Sequence, residues 1–472
     1  MTYTVQGIES VHLTRSTFLK GAGAAGAAAT TFSVPAIVRA QAKSLRIITW
    51  SHFVPAYDAW FDPFAKAWGR SKGIDVVVDH ISYADLVPRA TSEVAAGQGH
   101  DLAFFLSPPA AFEPHVLDLS DLAKETERRY GPMVPLVRSS TYNSFTKKAY
   151  GFSAEWTIDP GDYLKDAWTK VGKPGGPVTW EDLLTYGLQI KKSDPSIQIP
   201  IGIGMSQDID SNMAMRALLW SYGGAVQDAQ ERVTLDSDET VKAVEFGATL
   251  FQQVINPAVL SWNAASNNQA FNARQTSYIL NSISAYRTAQ DKKLPVAENT
   301  FFVPALKGPT GIGIASEHVM GIWVVWKFAK NPDAAKEFLL HLCDNYREAC
   351  MASKLYNTPS FMGTCAAPGT PLAQKAAAGQ RWVAAQFQRD PFGSAPADKL
   401  AVLATAEKWS TNIGHPGPAN PAIGEIFDTF VIPDMFAKAA TKQLTPKESV
   451  KQSTARVNAI FAKWRKAGLV GG

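Results

Sequence analysis

LLWSYGGAVQDAQERVTLDSDETVKAVEFGATLF, residues 218–251, is the stretch that decides the fold of this chain. It predicts the end of one helix, a turn at Gly223 and Gly224, a short strand at residues 233–235 and the start of a second helix. Glycine accepts the positive φ that stops a helix, and Ser237 is a good N-cap for the second helix. Apolar residues then recur at helical spacing. Taken alone, these signals predict two helices and a turn inside a large domain.

Composition restricts the classes of protein to which the chain can belong. Its 472 residues are enough for two domains, and 46% hydrophobic residues predict a folded protein. Lysine and arginine total 46 against 42 acidic residues, so the formal net charge is +4. The basic residues are interspersed, and the longest basic runs are pairs such as Lys147 and Lys148. This charge pattern predicts no binding of nucleic acid.

Residues 1–42 are predicted to be an export signal peptide. Arg15 and Lys20 precede a stretch rich in alanine and glycine, and a small-residue cleavage site follows at residues 40–42. The basic segment resembles a twin-arginine signal, except that Ser16 stands where the second arginine belongs. The competing interpretation is an alanine-rich N-terminal helix. No later stretch approaches the roughly 20 apolar residues of a membrane span, so we expect an exported chain that does not span the membrane.

A regular alternation of strands and helices follows this segment. Strands are predicted at residues 45–50, 74–78 and 101–106, with a helix after each of the first two. This order predicts a right-handed parallel α/β unit, and such sheets bind ligands at the carboxyl ends of their strands. The aromatic and polar residues that end or follow the first and third strands are Trp50, His52, Phe53, Phe105 and Ser107.

Further elements are predicted along the rest of the chain. The predicted strands are at residues 199–203, 276–281 and 318–325. The predicted helices are one capped by Thr179, one over residues 210–222, one capped by Asn331, a long one from Ile423 onward, and a last one that opens with a capping box at Thr445.

The three cysteines are Cys343, Cys350 and Cys365. Cys350 and Cys365 could close a short loop in an oxidising compartment. Cys343 and Cys350 are about two helical turns apart, which is too far for a bridge along one helix. The spacing matches no zinc site.

The opening stretch resembles the extracellular solute-binding proteins of ABC importers, in the sugar-type group. Seven other motifs of that family stand in the same order in this chain: FDPFAKAW (61–68), GHDLA (99–103), YGFSAE (150–155), TWEDLL (179–184), AFNARQTSYILN (270–281), KNPDAAKEF (330–338) and TPKESVKQSTARV (445–457). His100 stands where the family usually has proline, and Ala273 where it usually has glycine. The likeness covers nearly the whole chain after the export segment.

The resemblance implies a two-lobed α/β protein in which each lobe is a mainly parallel sheet flanked by helices. The N-terminal lobe would comprise residues 43–153 plus about 320–408, and the C-terminal lobe residues 154–319 plus about 409–472. The chain would cross between the lobes at hinges that close around a solute. The family also implies a periplasmic monomer without cofactor or metal, whose partners are a membrane permease and its ATPase.

A carbohydrate ligand would need flat aromatic surfaces for its C–H faces and paired polar groups for its hydroxyls. Combining strand ends, crossings and family positions, the candidate ligand-binding residues are Trp50, His52, Phe53, Phe105, Ser107, Glu155, Trp156, Asp210, Tyr222, Trp262, Asn281, Ser282, Glu317 and His318. For several of them a structural role competes with ligand binding. Tyr222 could brace the glycine turn, His318 could be a buried core histidine, and any of the tryptophans could belong to the core.

Three other functions compete with sugar binding. Aromatic cages with carboxylates also hold cations, so a polyamine or a quaternary amine is one alternative ligand. A secreted carbohydrate-active enzyme with two carboxylates is another, although the chain has no HExxH or phosphate-loop signature. A sensory partner of a membrane receptor would share the fold and cannot be distinguished by sequence.

Overall fold

The structure is a computed structural model that describes residues 43–316 and 320–472. The predicted export signal and the candidate residues Glu317 and His318 lie outside these ranges. Among the described residues, no helix combines the length and the apolar character that a membrane crossing requires.

Fourteen strands and seventeen α-helices are found in the described residues. The strands are β1 (Ser44–Trp50), β2 (Asp75–Ile81), β3 (Leu102–Phe105), β4 (Tyr142–Asn143), β5 (Lys148–Ala149), β6 (Phe152–Ser153), β7 (Glu155–Thr157), β8 (Gly161–Leu164), β9 (Tyr278–Leu280), β10 (Thr300–Val303), β11 (Ala315–Ser316), β12 (Ile322–Val325), β13 (Asn357–Pro359) and β14 (Ser410–Thr411).

The helices are α1 (Pro55–Lys72), α2 (Tyr83–Ala96), α3 (Ser120–Tyr130), α4 (Pro135–Thr141), α5 (Lys165–Lys170), α6 (Trp180–Ser193), α7 (Ile209–Ser221), α8 (Asp238–Gln253), α9 (Ser266–Asn272), α10 (Ser284–Asp291), α11 (Val296–Asn299), α12 (Pro332–Asp344), α13 (Tyr346–Ala352), α14 (Leu372–Gln388), α15 (Pro421–Asp428), α16 (Val431–Ala440) and α17 (Pro446–Lys466). Short 3₁₀ helices are found at Ala110–His115, Pro257–Ser261, Met362–Cys365 and Ala401–Lys408.

The first sheet has five strands in the order β2-β1-β3-β12-β6. β1 runs parallel to both β2 and β3, while β12 is antiparallel to β3 and to β6. Ile47, Leu102 and Val324 in its central strands are fully buried, because helices cover both faces. The predicted strand-helix-strand-helix-strand unit is therefore confirmed.

The second sheet has three strands in the order β10-β8-β9. β8 is antiparallel to both neighbours, so β9 and β10 run in the same direction. A parallel bridge from Ile201 to Tyr278 adds one more segment beside β9. Each sheet thus has one reversed strand among strands that otherwise run the same way.

The chain passes from the first sheet to the second between β6 and β8, and it returns between β10 and β12. Both passages are reinforced by short ladders. β7 pairs antiparallel with β13, and β11 pairs parallel with β14. The predicted limits of the two lobes stay predictions.

The helix N-termini follow the sequence signals. Thr179 and Asp182 form a complete capping box at the start of α6, and Thr445 and Glu448 form another at the start of α17. The hydroxyl of Ser237 accepts a hydrogen bond from the backbone N–H of Thr240 and caps α8. Each cap satisfies backbone donors that a helix start leaves without a partner.

Three predicted elements are wrong in detail. Residues 233–235 form no strand, because only Val233 bridges to Gln227. The strand predicted at residues 199–203 is likewise reduced to the bridge at Ile201. The long helix predicted from Ile423 onward is two helices separated at Phe430, whose φ is 53°. In a continuous helix the ring of Pro433 would meet the carbonyl of the residue four positions earlier, so the helix must restart.

We expect Asp101 to be a major contributor to the stability of the first sheet. Its carboxylate is buried and accepts backbone N–H groups of Arg46 at 2.8 Å and Lys330 at 2.6 Å. Asp101→Ala leaves both donors unpaired and should lower the free energy of unfolding by about 2–4 kcal/mol, measured by urea denaturation. Asp101→Asn keeps one acceptor oxygen, so it should lower the free energy of unfolding by less than Asp101→Ala does.

A matched control for this prediction is Asp236→Ala. Asp236 is exposed in the loop before α8, so its loss should change stability by no more than about 0.5 kcal/mol. Equal stability of Asp101→Ala and Asp236→Ala would contradict the role assigned to Asp101.

Candidate ligand-binding site

The residues that follow β1 form an aromatic cluster. The Trp50 ring lies 4.9 Å from the His52 ring and 5.0 Å from the Phe53 ring. The Tyr57 ring, at the start of α1, lies 4.7 Å from His52. Tyr356, from the segment before β13, completes the cluster with its ring 5.0 Å from His52 and 6.5 Å from Trp50.

Glu155 is the buried acid beneath this cluster. It is the first residue of β7, directly after the passage out of the first sheet. Its Oε2 accepts hydrogen bonds from the hydroxyls of Tyr57 and Tyr346, each at 3.2 Å. Burial raises the pKa of Glu155 to about 7, although the bonds from Tyr346 and Tyr57 act in the opposite direction. The acid can therefore change its charge near neutral pH.

His52 is held in its neutral form. Its Nδ1 lies 2.9 Å from the backbone nitrogen and 3.1 Å from the carbonyl oxygen of Val54, and its Nε2 lies 3.3 Å from Oδ1 of Asn357. Burial lowers the pKa of His52 to about 4. The histidine consequently provides a polar aromatic edge without a positive charge at neutral pH.

Tyr356 is where residues associated with the two sheets come together. Burial raises its pKa, contact with Ser282 lowers it, and the carboxylates of Asp210, Asp159 and Glu155 raise it further. Asp210 lies in the first turn of α7 and accepts a hydrogen bond from the Asn267 amide at 2.8 Å. One tyrosine thus packs near Trp50 and His52, and its pKa is raised by acids that precede the second sheet or lie on α7.

A polar network follows the end of β9. The Asn281 side-chain amide donates to Oδ1 of Asn268, and Asn268 donates to the Ser284 hydroxyl at 3.1 Å. The backbone N–H of Ser282 bonds to Asn281 Oδ1 at 2.8 Å. Asn281 and Ser282 are both buried. Their hydroxyl and amide groups lie at the carboxyl end of a strand, the position at which α/β sheets bind ligands.

A second contact joins the two sides of the site. The hydroxyl of Tyr83, the first residue of α2, donates to Asp208, which is the N-cap of α7. Beside it lies a cavity of about 220 Å³. Burial raises the pKa of Asp428 in the wall of this cavity to about 7. The cavity is lined by Tyr83, Ala84, Leu86, Val87, Pro88, Phe105, Leu106, Ser107, Ile209, Phe427, Asp428 and Phe430.

The structure divides the candidate residues into groups. Trp50, His52 and Phe53 lie with Glu155 in the aromatic cluster, and Tyr356 connects this cluster to the region of Asp210, Asn281 and Ser282. Phe105 and Ser107 line the cavity beside Tyr83. The described candidates that lie in neither group are Trp156, Tyr222 and Trp262.

Trp156, Tyr222 and Trp262 occupy other surroundings. Trp156 is buried against α14 in the wall of a small separate cavity. Tyr222 donates to Glu181 at 3.2 Å and packs on Phe246, which matches the bracing role considered for it. The backbone carbonyl of Trp262 accepts from the Ser206 hydroxyl at 2.6 Å, and its side chain is half-buried.

Residues 54–342 match the family model of bacterial extracellular solute-binding proteins, which is more than half of the chain. The chain belongs to this family. The resemblance on which the sequence interpretation was based is therefore confirmed. Among curated proteins, it is 24% identical over 260 residues to the "Probable ABC transporter-binding protein" of Deinococcus radiodurans. That match covers 52% of this chain and 59% of the relative.

Solved structures show that the fold is the two-lobed one of periplasmic binding proteins. Maltose-bound MalE3 of T. maritima is 18% identical with a TM-score of 0.69, and the match covers 89% of this chain and 100% of that one. A sugar transporter protein of Arthrobacter chlorophenolicus with bound laminaribiose has 14% identity, a TM-score of 0.70 and coverages of 88% and 99%. An ABC transporter solute-binding protein from Agrobacterium radiobacter in complex with ribitol is 17% identical with a TM-score of 0.69. That match covers 89% of this chain and 99% of the other.

Sequence reasoning missed several residues of this solute-binding protein's candidate site. Tyr83 follows β2, so the strand-end rule that selected Trp50 would also have selected it. Asp208 had a signal too, since aspartate is a favoured N-cap. Tyr346 and Tyr356 had none, because they lie about 300 positions after Trp50 and only the fold brings them to it.

In residues 43–316 and 320–472, no group of three or more histidine, cysteine or acidic side chains is placed to hold an ion. The acids of the site lie among tyrosine hydroxyls and asparagine amides, which are groups that recognise an organic ligand.

The raised pKa of Glu155 predicts a pH dependence of stability. In the folded state Glu155 keeps its proton up to about pH 7, whereas the ordinary pKa of a glutamate is 4.5. Between these two pH values the folded state therefore binds more protons than the unfolded state. The free energy of unfolding should then fall as pH rises through this window, by about 3 kcal/mol in all from this group. Glu155→Gln cannot ionise and should lack this part of the slope.

The measurement is urea denaturation of the wild type and of Glu155→Gln at pH 5 and pH 8. The variant should gain stability relative to the wild type at the higher pH. Asp428, whose pKa is also raised to about 7, is present in both proteins and cancels in the difference. A difference that does not change with pH would contradict the buried, neutral state of Glu155.

Proposed function

We propose that this protein binds a carbohydrate between its two lobes and delivers it unchanged to the permease of an ABC importer. The proposed place of action is the periplasm. The observation that carries the proposal is the cluster of Trp50, His52 and Tyr356 around the buried carboxyl of Glu155. No covalent step is proposed.

The chemistry of the cluster suits a sugar. Aromatic rings offer flat apolar surfaces for the C–H faces of a pyranose or a polyol chain. Glu155, Asp210 and the Asn281 amide offer acceptors and donors for hydroxyl groups. A sugar hydroxyl buried without a partner costs about 1–3 kcal/mol, so such groups decide which ligand is accepted. The polar groups of the site would therefore set specificity, and the rings would supply contact area.

Relatives support the carbohydrate class. The similar structures named above hold maltose, laminaribiose and ribitol, and the Deinococcus radiodurans relative is named for an ABC transporter. All are below 25% identity, so they support the class of solute and not one particular sugar.

Closure of the lobes is part of the proposal. The Tyr83–Asp208 hydrogen bond connects α2, which packs on the first sheet, with the N-terminus of α7. A contact between elements on the two sides stabilises a closed arrangement in which solvent leaves the site. Separation of the lobes would break this bond and open a path for the solute.

A cationic solute is the second candidate. The same rings and carboxylates would attract an ammonium group through cation–π and charge interactions. The specific observation in its favour is that the groups whose hydrogen bonds lower the pKa of Glu155, namely the hydroxyls of Tyr346 and Tyr57 and the side chain of Asn357, are all uncharged. A ligand cation could therefore add a positively charged partner for Glu155 to these uncharged groups.

A thermal-shift panel of sugars, polyols, polyamines and betaines tests both candidates. A ligand at 100 times its Kd adds about 2.7 kcal/mol to stability and should raise the melting temperature by several degrees. We expect the rise with one or more sugars or polyols. A rise with amines alone would replace the proposal with the cationic candidate.

Glu155→Ala should abolish the ligand-induced rise, because it removes the central acceptor. Tyr222→Phe is the matched control: it loses only the bond to Glu181, outside the cluster, and should keep the full shift. An unchanged shift in Glu155→Ala, or an equal loss in both variants, would contradict the position assigned to the site.

Tyr83→Phe should weaken solute binding by roughly tenfold, equivalent to about 1.4 kcal/mol. The ring remains, so packing is retained while the hydrogen bond to Asp208 is lost. Isothermal titration with the best ligand of the panel gives the Kd. An affinity equal to that of the wild type would show that this contact does not stabilise the closed state.

A further inference from the structure

Two of the three cysteines lie together behind the aromatic cluster. Cys350 belongs to α13, and Cys365 is the last residue of the 3₁₀ helix Met362–Cys365, which packs against α13. Cys365 is the neighbour with the largest effect on the pKa of Cys350, which it raises through a side-chain hydrogen bond. Both side chains are buried and are free thiols in this structure.

Cys343 has a different environment. It is also buried and free, on α12, and the charged groups that influence it are Asp344, Glu155 and Arg129. Neither of the other cysteines is among those groups. Tyr346, in contrast, is influenced by Cys350 and Cys365 together. Cys350 and Cys365 thus lie on two packed elements and affect the same tyrosine, whereas Cys343 lies on the preceding helix α12.

The geometry points to a Cys350–Cys365 disulfide bond in the mature protein, with Cys343 remaining a thiol. Formation of the bond takes two protons and two electrons from the two thiols. A disulfide oxidant accepts them and is itself reduced to two thiols. Solute-binding proteins of this family are extracellular, and oxidising compartments supply such oxidants.

The bond would enclose a segment that matters for the site. The two cysteines are 365 − 350 = 15 positions apart. Between them lie Tyr356, which faces Trp50 and His52, and β13, which pairs with β7. Closing a loop of this length restricts the unfolded chain and so favours the folded state. The bond would thereby hold the aromatic partner of the site in its folded position.

Burial determines when the bond can form. The contact with Cys365, together with burial, raises the pKa of Cys350 well above its ordinary value. A thiolate is the species that attacks a disulfide, so the folded, reduced protein should react slowly. Oxidation is then expected while the chain folds, and the completed bond should resist exchange afterwards.

Peptide mapping gives a direct test. The full-length chain is unfolded with a reductant, refolded by dilution into a buffer of reduced and oxidised glutathione, and quenched with N-ethylmaleimide. Cleavage after lysine and arginine places the cysteines on three separate peptides, since it occurs after Lys336, Arg347, Lys354 and Lys375. We expect residues 348–354 linked to residues 355–375, and residues 337–347 carrying the alkylated Cys343.

Variants make the test specific. Cys343→Ala should leave the linked peptide unchanged, whereas Cys350→Ser should leave Cys365 alkylated. Reduction of the wild type should lower its melting temperature by a few degrees, and reduction of Cys350→Ser should not. Alkylation of all three cysteines in the refolded wild type, or links to Cys343 as abundant as the expected one, would overturn the inference. Ligand binding is not needed for any of these readouts.

Discussion

The structure around the site depends on one buried carboxyl group. Glu155 stands where the chain leaves the first sheet, and it takes hydrogen bonds from Tyr57 on α1 and Tyr346 on α13. These three residues come from distant parts of the sequence. Burial makes the charged form costly, so the two hydroxyls stabilise the acid without fully compensating the lost hydration.

This arrangement lets the site close without an unpaired charge. His52 is neutral, and Glu155 is partly protonated near pH 7. A sugar hydroxyl that donates to Glu155 favours the carboxylate, because hydrogen bonds to the charged form lower a carboxyl pKa. Binding of a neutral solute would then release a fraction of a proton near neutral pH. The ligand hydroxyls would replace the proton as the partner of the buried acid.

Local signals in the sequence were sufficient for much of the fold. The first three strands and two helices were predicted because apolar periodicity and glycine breaks lie within the elements themselves. The capping boxes at Thr179 and Thr445 located their helices for the same reason. The break at Phe430 was not predicted, because the apolar pattern continues through it while Pro433 prevents a continuous helix. Residues 233–235 have strand propensity, but only one bridge partner is available to them.

The site was predictable only where a local rule applied. The strand-end rule selected Trp50, His52, Phe105 and Ser107, and the structure places them in the aromatic cluster or beside the cavity. Tyr222 lies beside a glycine turn, and its hydroxyl donates to Glu181 and not to a residue of the cluster. No local pattern marks Tyr346 and Tyr356, whose role is defined by contacts with residues about 200 to 300 positions earlier.

Tyr356 and Glu155 are connected through the paired strands β13 and β7. Tyr356 directly precedes β13, and in the β13–β7 ladder Pro359 is the partner of Glu155. The next residue, Ser360, extends the connection, because its backbone N–H donates to the Ala154 carbonyl at 2.9 Å. A movement of β7 at the passage between the sheets must therefore displace Tyr356 as well. The position of β7 and the shape of the aromatic cluster are thus coupled by backbone hydrogen bonds.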